Sequence, residues 1–384
     1  EGKAQIISER CIDCGECIRV CPHHAKKARY DHLSVLEGWK YKIAIPAPAL
    51  FGQFNNLDDI DIVLTGLKQM GFDDVYEVSR GAELVSDATR KLMADGRLPK
   101  PVISSACPAV VRLIRVRFPD LCDHVLNLNA PMEVSAMMAK RAASERTGIP
   151  VEEIGAFFIT PCPAKVTDIK MPIGTEGSWC DGAIAISEVF PLLSHRMDKL
   201  ETVEPIGQSG LIGVSWAGSG GESAALLNEK YLAADGIENV IRVLEELEDE
   251  RIRELDFVEL NACSGGCVGG VLCVENGYVA KARLQRLRKY LPVSQNHLDG
   301  GVPRDMEWTE PLEFAPVLKL SQNLEEAMQM MEEIDVICEG LPGLDCGSCG
   351  APSCRALAED VVKGVARTSD CVFVMREQVK NVAD

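Results

Sequence analysis

The chain has 384 residues, 46% apolar and 26% charged, enough for two or three domains with a sizeable core. Acidic residues outnumber basic ones 58 to 40, and a net charge of −18 argues against nucleic acid or an anionic membrane as the main partner. No apolar run approaches the ~18 residues of a membrane helix and no signal-peptide layout is present, so a cytoplasmic location is expected. The sixteen cysteines point to metal, because a disulfide scaffold is usually small and this chain is not.

In chain order, Cys11, Cys14, Cys17 and Cys21 crowd the N-terminus, and Lys42–Ile45 reads as a strand. Asp58–Met70 carries the helical stripe Ile60, Val63, Leu64 and Leu67, with Gly71 as a stop. Val75–Val78 is a predicted strand and Ala82–Met93 a predicted helix. Strand Val102–Ser105 precedes a helix from about Ala109 to Arg117, then helix Val134–Glu145 and strand Ala156–Thr160. Ala183–Ile186 leads into a helix through Phe190, and Leu211–Ser215 reads as a strand. Glu238–Glu248 is helical, Phe257–Leu260 a strand, and the basic run Lys281–Lys289 a solvated helix face. This alternation predicts an α/β core with largely parallel sheets.

Three central cysteines share one context. Cys107, Cys162 and Cys263 each follow a predicted strand, and Cys267 lies about one helical turn past Cys263. Ligands of open α/β sheets sit beyond the carboxyl ends of strands, so these four thiols are candidates for one iron–sulfur cluster. The alternative is four core cysteines in unrelated places. Cys122, Cys180, Cys273 and Cys338 read as small buried apolar residues.

The run CIDCGECIRVCP, Cys11–Pro22, is the bacterial ferredoxin pattern C-x2-C-x2-C-x3-C-P. In two-cluster ferredoxins the fourth cysteine of such a run serves the other cluster. The opening EGKAQIISER resembles the hairpin between the two halves of such a domain. The expectation is therefore that the chain begins midway through one, with Cys21 serving an absent cluster. At the other end, Cys346, Cys349, Cys354 and Cys371 are spaced C-x2-C-x4-C-x16-C, with Arg355–Val365 helical between them. This segment resembles the four-cysteine cluster domain of Rnf-type electron-transfer subunits and corrinoid iron–sulfur proteins. Four thiolates also suit zinc, which stays open as an alternative.

The segments SSACPAVVRL (104–113), TPCPAKVTD (160–168) and ELNACSGGCVGG (259–270) resemble, in order, the three signatures of [FeFe]-hydrogenases. Weaker echoes lie in GAELVSDAT, NAPMEVSAMM, DGAIAISE and GSGGESAAL. The resemblance implies a hydrogenase H-domain of two mostly parallel sheets with the active site between them, flanked by small iron–sulfur cluster domains. The expected division is a ferredoxin-like domain at 1–36, the H-cluster domain at 37–320 and the four-cysteine domain at 321–384. The implied cofactor is an H-cluster, a 4Fe-4S cubane plus a two-iron subcluster with carbonyl, cyanide and azadithiolate ligands. Further 4Fe-4S clusters would occupy the terminal motifs. By resemblance, Cys107, Cys162, Cys263 and Cys267 would hold the cubane, Cys267 would bridge to the two-iron unit, and Lys165 would donate to a bound cyanide. The implied substrates are dihydrogen and protons. Maturation proteins and an electron-transfer or signalling protein are the implied partners.

Departures from the family shift the expected activity. Ala106 stands where catalytic members have the proton-relay cysteine, and general acid–base help is worth about 10²–10⁴-fold. Leu126 stands where the relay has a serine; Asp87 is a candidate for its first carboxylate, and Arg90 replaces the second. Asn261 and Thr160 replace methionines beside the subcluster and put polar groups there. The pattern resembles the sensory branch of the family, a cofactor frame kept and the fast proton path removed. Two other readings stay open: an ordinary ferredoxin-coupled hydrogenase, and a non-catalytic hydrogenase-like iron–sulfur scaffold.

Overall fold

The computed structural model describes residues 6–7, 10–315, 320–321, 323–351 and 353–383; the expected hairpin at EGKAQIISER lies largely outside them. The chain divides into two compact units, Glu1–Ala315 and Pro316–Asp384. The first unit opens with one turn, α1 (Glu16–Arg19), followed by β1 (Tyr41–Pro46), α2 (Ile60–Lys68), β2 (Asp74–Val75) and α3 (Val78–Ala94). Then come β3 (Val102–Ile103), α4 (Pro108–Arg117), α5 (Pro131–Thr147), β4 (Ile154–Thr160), α6 (Pro163–Lys170), β5 (Gly182–Ala185) and α7 (Ile186–Met197). It ends with α8 (Leu211–Ser215), α9 (Gly221–Ala225), β6 (Tyr231–Asp235), α10 (Ile237–Glu248), β7 (Phe257–Asn261) and α11 (Gly277–Leu287). The second unit holds α12 (Leu324–Glu339), α13 (Cys354–Val362) and α14 (Val372–Ala383).

The strands form two parallel sheets, in order β2-β1-β4-β5 and β3-β7-β6. β1 is buried on both faces, as a parallel strand covered by helices must be. Ile43 and Ile45 enter one core with Ala136 and Ala139 of α5, while Ala44 enters another with Val63 and Leu67 of α2 and Val189 of α7. The smaller sheet packs Val258 and Leu260 of β7 against Val110 and Ile114 of α4 and Val240 and Leu244 of α10.

Three local differences from the sequence reading have physical causes. Leu211–Ser215 is a helix, not a strand. The N–H groups of Leu211 and Ile212 donate to the carbonyls of Pro292 (2.7 Å) and Val293 (3.1 Å), and Gly213 lies against the α3 backbone. The strand beside β7 is instead Tyr231–Asp235, a half-exposed edge whose small residues give little apolar contrast. Finally, Val78 begins α3 rather than ending a strand, and β3 stops at Ile103, so Ser104 and Ser105 belong to the loop leading to Cys107.

Gly213 has no room for a side chain: an added Cβ would lie 2.0 Å from the Ser79 carbonyl oxygen. Gly213→Ala is therefore expected to cost about 1–3 kcal/mol, read as a lower urea midpoint. An unchanged midpoint would contradict this packing.

Candidate metal centre

The central site is built where strands end. Cys107 follows β3, Cys162 follows β4 and Cys263 follows β7, so both sheets present thiols from their carboxyl ends. Pro108 and Pro163 are the first residues of α4 and α6, which makes Cys107 and Cys162 extended helix-capping residues. Proline's missing N–H suits that first position and pins the helix start directly after the cysteine. Between Cys263 and Cys267 the chain turns through Gly265 and Gly266, at φ 82° and 92°. At Gly266 a Cβ would meet the Ser219 nitrogen at 2.4 Å, so the turn closes only with glycine.

The four thiols share one electrostatic environment. Cys162 is pushed up to about 12, first by burial and then by Cys107. Cys263 is raised well above the usual thiol range by burial and by Cys162, Cys107 and Cys267. Cys267 is pushed up to about 11 by burial, against which Lys165 acts. Bare thiolates this crowded are unstable, and a cationic iron core offsets that cost, so the donor set fits an iron–sulfur cluster. Among the described residues no three metal-ligating side chains close on the position of a single ion.

Beside these thiols lies a cavity with about 630 Å³ of atom-free space, counted to its open mouth. Ala106, Cys107, Lys165, Cys267, Glu222 and Asn261 are on its wall. Lys165 is buried, and its Nζ donates to the carbonyl of Ala106 at 3.0 Å. The Asn261 amide donates to Glu259 at 2.9 Å. Thr160 turns its hydroxyl to the Cys162 carbonyl at 3.1 Å.

Two carboxyls that the sequence reading passed over also line the cavity. Glu222 accepts from the Ser104 hydroxyl (2.7 and 2.8 Å to its two oxygens), and that hydroxyl accepts from the Ala106 N–H at 3.1 Å. Glu259 accepts from the N–H groups of Gly220 (2.9 Å) and Ser223 (2.8 Å). Burial, then the neighbouring Glu259, holds Glu222 well above the ordinary carboxylate range; burial likewise raises Glu259. Their signal was present as glutamates inside GSGGESAAL and ELNAC. The expected relay carboxylate Asp87 is committed elsewhere, to Arg90 (3.2 Å), Lys91 (3.1 Å) and the Leu298 N–H (2.9 Å). Leu126 is buried in an apolar core with Leu128, Val134 and Met137.

The N-terminal motif docks onto the same unit. Ile12 and Cys14 pack into the core that also holds Cys107 and Cys162, and Arg19 donates to the Gly269 carbonyl at 2.9 Å. Cys11 and Cys14 are raised mainly by burial, whereas Cys21 is lowered by the backbone amides of Ala25 and His23. In the second unit Cys371 is buried, and Cys338, Cys349 and Cys354 pack around Ile334, Leu357 and Ala358. Asp345 accepts from the Cys354 N–H at 2.6 Å, and Cys346 is exposed. Of the four cysteines read as apolar filler, Cys122 and Cys180 are buried; Cys273 is partly buried beside Cys267, donating to its carbonyl at 3.7 Å.

The model of the iron only hydrogenase large subunit, C-terminal domain, matches residues 40–231 and 222–271, more than half of the chain. The chain belongs to the iron-only hydrogenase family. A 4Fe-4S binding domain matches residues 4–27 and a model described as "Putative Fe-S cluster" matches residues 341–373, so this hydrogenase-like protein carries iron–sulfur cluster motifs at both ends. It is 23% identical to the NADP-reducing hydrogenase subunit HndD of Solidesulfovibrio fructosivorans, over 68% of this chain and 55% of that protein. It is 21% identical to iron hydrogenase 1 of Clostridium pasteurianum, over 58% of this chain and 46% of that protein. The chain thus spans about half the length of these curated relatives. A shorter match, 30% over 99 residues and 26% of this chain, is to the cytosolic Fe-S cluster assembly factor nar1 of Aspergillus terreus, of which it covers 16%. In fold it is similar to a variant of [FeFe]-hydrogenase HydA1 from Chlamydomonas reinhardtii, at TM-score 0.54 and 17% identity over 72% of this chain and 95% of that one. A HydA(deltaEFG) structure on stepwise H-cluster assembly matches at TM-score 0.55, 17% identity and the same coverage. No helix among the described residues is long and apolar enough to cross a membrane.

Glu222 supplies a test of the cavity's electrostatics. Its folded-state pKa lies above the unfolded value, so the folded form binds more protons and stability falls as pH rises past the ordinary glutamate range. Glu222→Gln should flatten that decline in denaturant midpoints measured on either side of neutrality. A decline of unchanged slope would contradict the burial of an ionisable group there.

Proposed function

We propose that this chain is a low-turnover hydrogenase that binds dihydrogen at an H-cluster and splits it reversibly, acting as a hydrogen or redox sensor. The observation that carries the reading is the pairing of Lys165 with Ala106 on one cavity wall. The cation that suits a bound cyanide is kept, and a methyl group stands where catalytic relatives keep a proton carrier. When bound, the two-iron subcluster would supply the open iron position and bridging amine at which dihydrogen is cleaved.

The chain's own residues would do the rest. Cys107, Cys162, Cys263 and Cys267 would hold the cubane, with Cys107 and Cys267 on the cavity side. Lys165 would orient the cyanide-bearing face through a charge-assisted hydrogen bond. Ala106 offers no side-chain proton, which leaves Ser104 and Glu222 as a hydrogen-bonded, protonatable pair on the cavity wall. Slow exchange through such a wall suits a sensor, which needs occupancy of a state rather than flux. Electrons would enter or leave through the terminal clusters to a redox or signalling protein, and loading would need maturation proteins.

The match to nar1 favours a second reading, a scaffold with the cubane alone. One experiment separates them: infrared spectroscopy of maturase-loaded protein under argon, hydrogen and carbon monoxide. Carbonyl and cyanide bands that shift under hydrogen support the proposal; absent bands leave the scaffold, and bands that never respond refute sensing. Ala106→Cys should raise hydrogen oxidation, by no more than about 10²-fold while Leu126 remains, the low end of general acid–base effects. Wild-type turnover equal to that of a catalytic member would instead indicate an ordinary hydrogenase.

A further inference from the structure

A second cavity, with about 380 Å³ of atom-free space, is lined by Ser105, Asn129, Glu133, Asp168, Thr175 and Trp308. Ser105 and Ala106 are successive residues lining different cavities, and Asp168 lies one turn beyond Lys165 on α6. Ile173, Thr175 and Trp308 on its wall are partly exposed to solvent. Nothing in the hydrogenase reading uses it.

Its two carboxyls are both half-buried. Glu133 accepts from the Ser178 hydroxyl at 2.6 Å and the Trp179 N–H at 2.7 Å. Asp168 faces the Arg112 guanidinium at 3.7 Å. Arg112 also lies 3.5 Å from Asp13 and donates to the carbonyls of Ala164 (3.4 Å) and Met171 (3.2 Å). Asp13 sits between Cys11 and Cys14, and its N–H donates to the Cys11 sulfur at 3.4 Å. One guanidinium therefore joins the N-terminal cluster loop to a solvent-connected pair of half-buried acids.

The surrounding charges set how that pair behaves. Lys165 from α6 and Arg112 from α4 face it with positive charge. The Cys180 thiol adjoins Glu133; the Lys140–Asp181 ion pair lies beyond that thiol, and Arg141 stacks over Trp179. Burial raises Glu133 to about 7, with Asp168 adding to it, and burial raises Asp168 to about 6 against Arg112 and Lys165. A change of charge on the cluster, felt through Arg112 in a low-dielectric interior, shifts such a balance.

We propose that the Glu133–Asp168 cavity is a proton-loading site for the N-terminal iron–sulfur cluster, coupled to it through Arg112. One electron from an added low-potential mediator reduces the cluster, and a proton from bulk water is taken up on a carboxylate oxygen of the pair. One O–H bond forms on the carboxylate as one breaks in hydronium of the bulk solvent, and the electron stays on the cluster. Arg112 is a positioning residue: it holds the cluster loop and the acid pair in one field. The inference rests on the iron–sulfur assignment of the N-terminal motif and not on the two-iron subcluster.

The test uses the full chain with its iron–sulfur clusters and without the two-iron subcluster, so hydrogenase function does not enter. Its N-terminal cluster is titrated by electron paramagnetic resonance across a pH series. The midpoint potential should be level at acid pH and begin to fall as pH rises through about 6 to about 7, levelling again only once the pKa of the reduced state, raised by the added electron, is passed. Glu133→Gln with Asp168→Asn should abolish the slope, Arg112→Gln should weaken it, and Arg112→Lys should largely restore it. A pH-independent wild type, or a slope that survives the double substitution, overturns the proposal. The wild type also gives a variant-free reading in its redox-induced infrared difference spectrum. A carboxyl band that rises on reduction and shifts in heavy water supports the proposal; no such band refutes it.

Discussion

A buried ammonium organises this protein. Lys165 is almost fully shielded from solvent, and among the described residues it makes no ion pair; its Nζ rests on the Ala106 carbonyl. Burying a cation against a neutral acceptor is costly unless something anionic completes its surroundings. Cys162, Cys267, Glu222, Glu133 and Asp168 all feel its charge. Anionic cluster sulfurs and a bound cyanide are the chemistry that would justify keeping it there. The cation lines the cavity beside the candidate cluster site and acts on the acid pair of the other cavity through its charge.

The fold delivers that arrangement through strand ends and helix starts. Parallel strands from separate sheets stop near a common region, and Pro108 and Pro163 begin helices directly after Cys107 and Cys162. Helix N-termini then lie beside the thiols, where their partial positive charge favours anions. Gly265 and Gly266 permit the tight return that brings Cys267 to the cavity wall. The N-terminal motif is tied to this frame by side chains, Arg112 to Asp13 and Arg19 to Gly269, and packs Cys14 into the same core.

How much of this was legible in the sequence depended on whether the signal was local. The cysteine spacings, the strand-then-cysteine pattern and the long helical stripes were readable; largely parallel sheets followed from alternation, and their number from the family resemblance. Lys165 was readable only through family resemblance. Long-range partnerships were not. Ser104 and Glu222 are 118 positions apart, and neither residue type is unusual where it stands. Asp87 looked available as a relay carboxylate because its ties to Lys91 and to the Leu298 N–H are tertiary. Leu211–Ser215 has strand composition, yet its backbone donors are claimed by a distant loop at Pro292 and Val293. Propensity gave way to tertiary hydrogen bonding there.

The account's central claim is that Cys107, Cys162, Cys263 and Cys267 hold a single cubane beside Lys165. Anomalous diffraction at the iron edge, from crystals of cluster-loaded protein, addresses it most directly. The account predicts one compact group of iron peaks bonded to all four sulfurs, next to the cavity into which Lys165 projects. Iron absent from that pocket, or those sulfurs bound to separate centres, would contradict it.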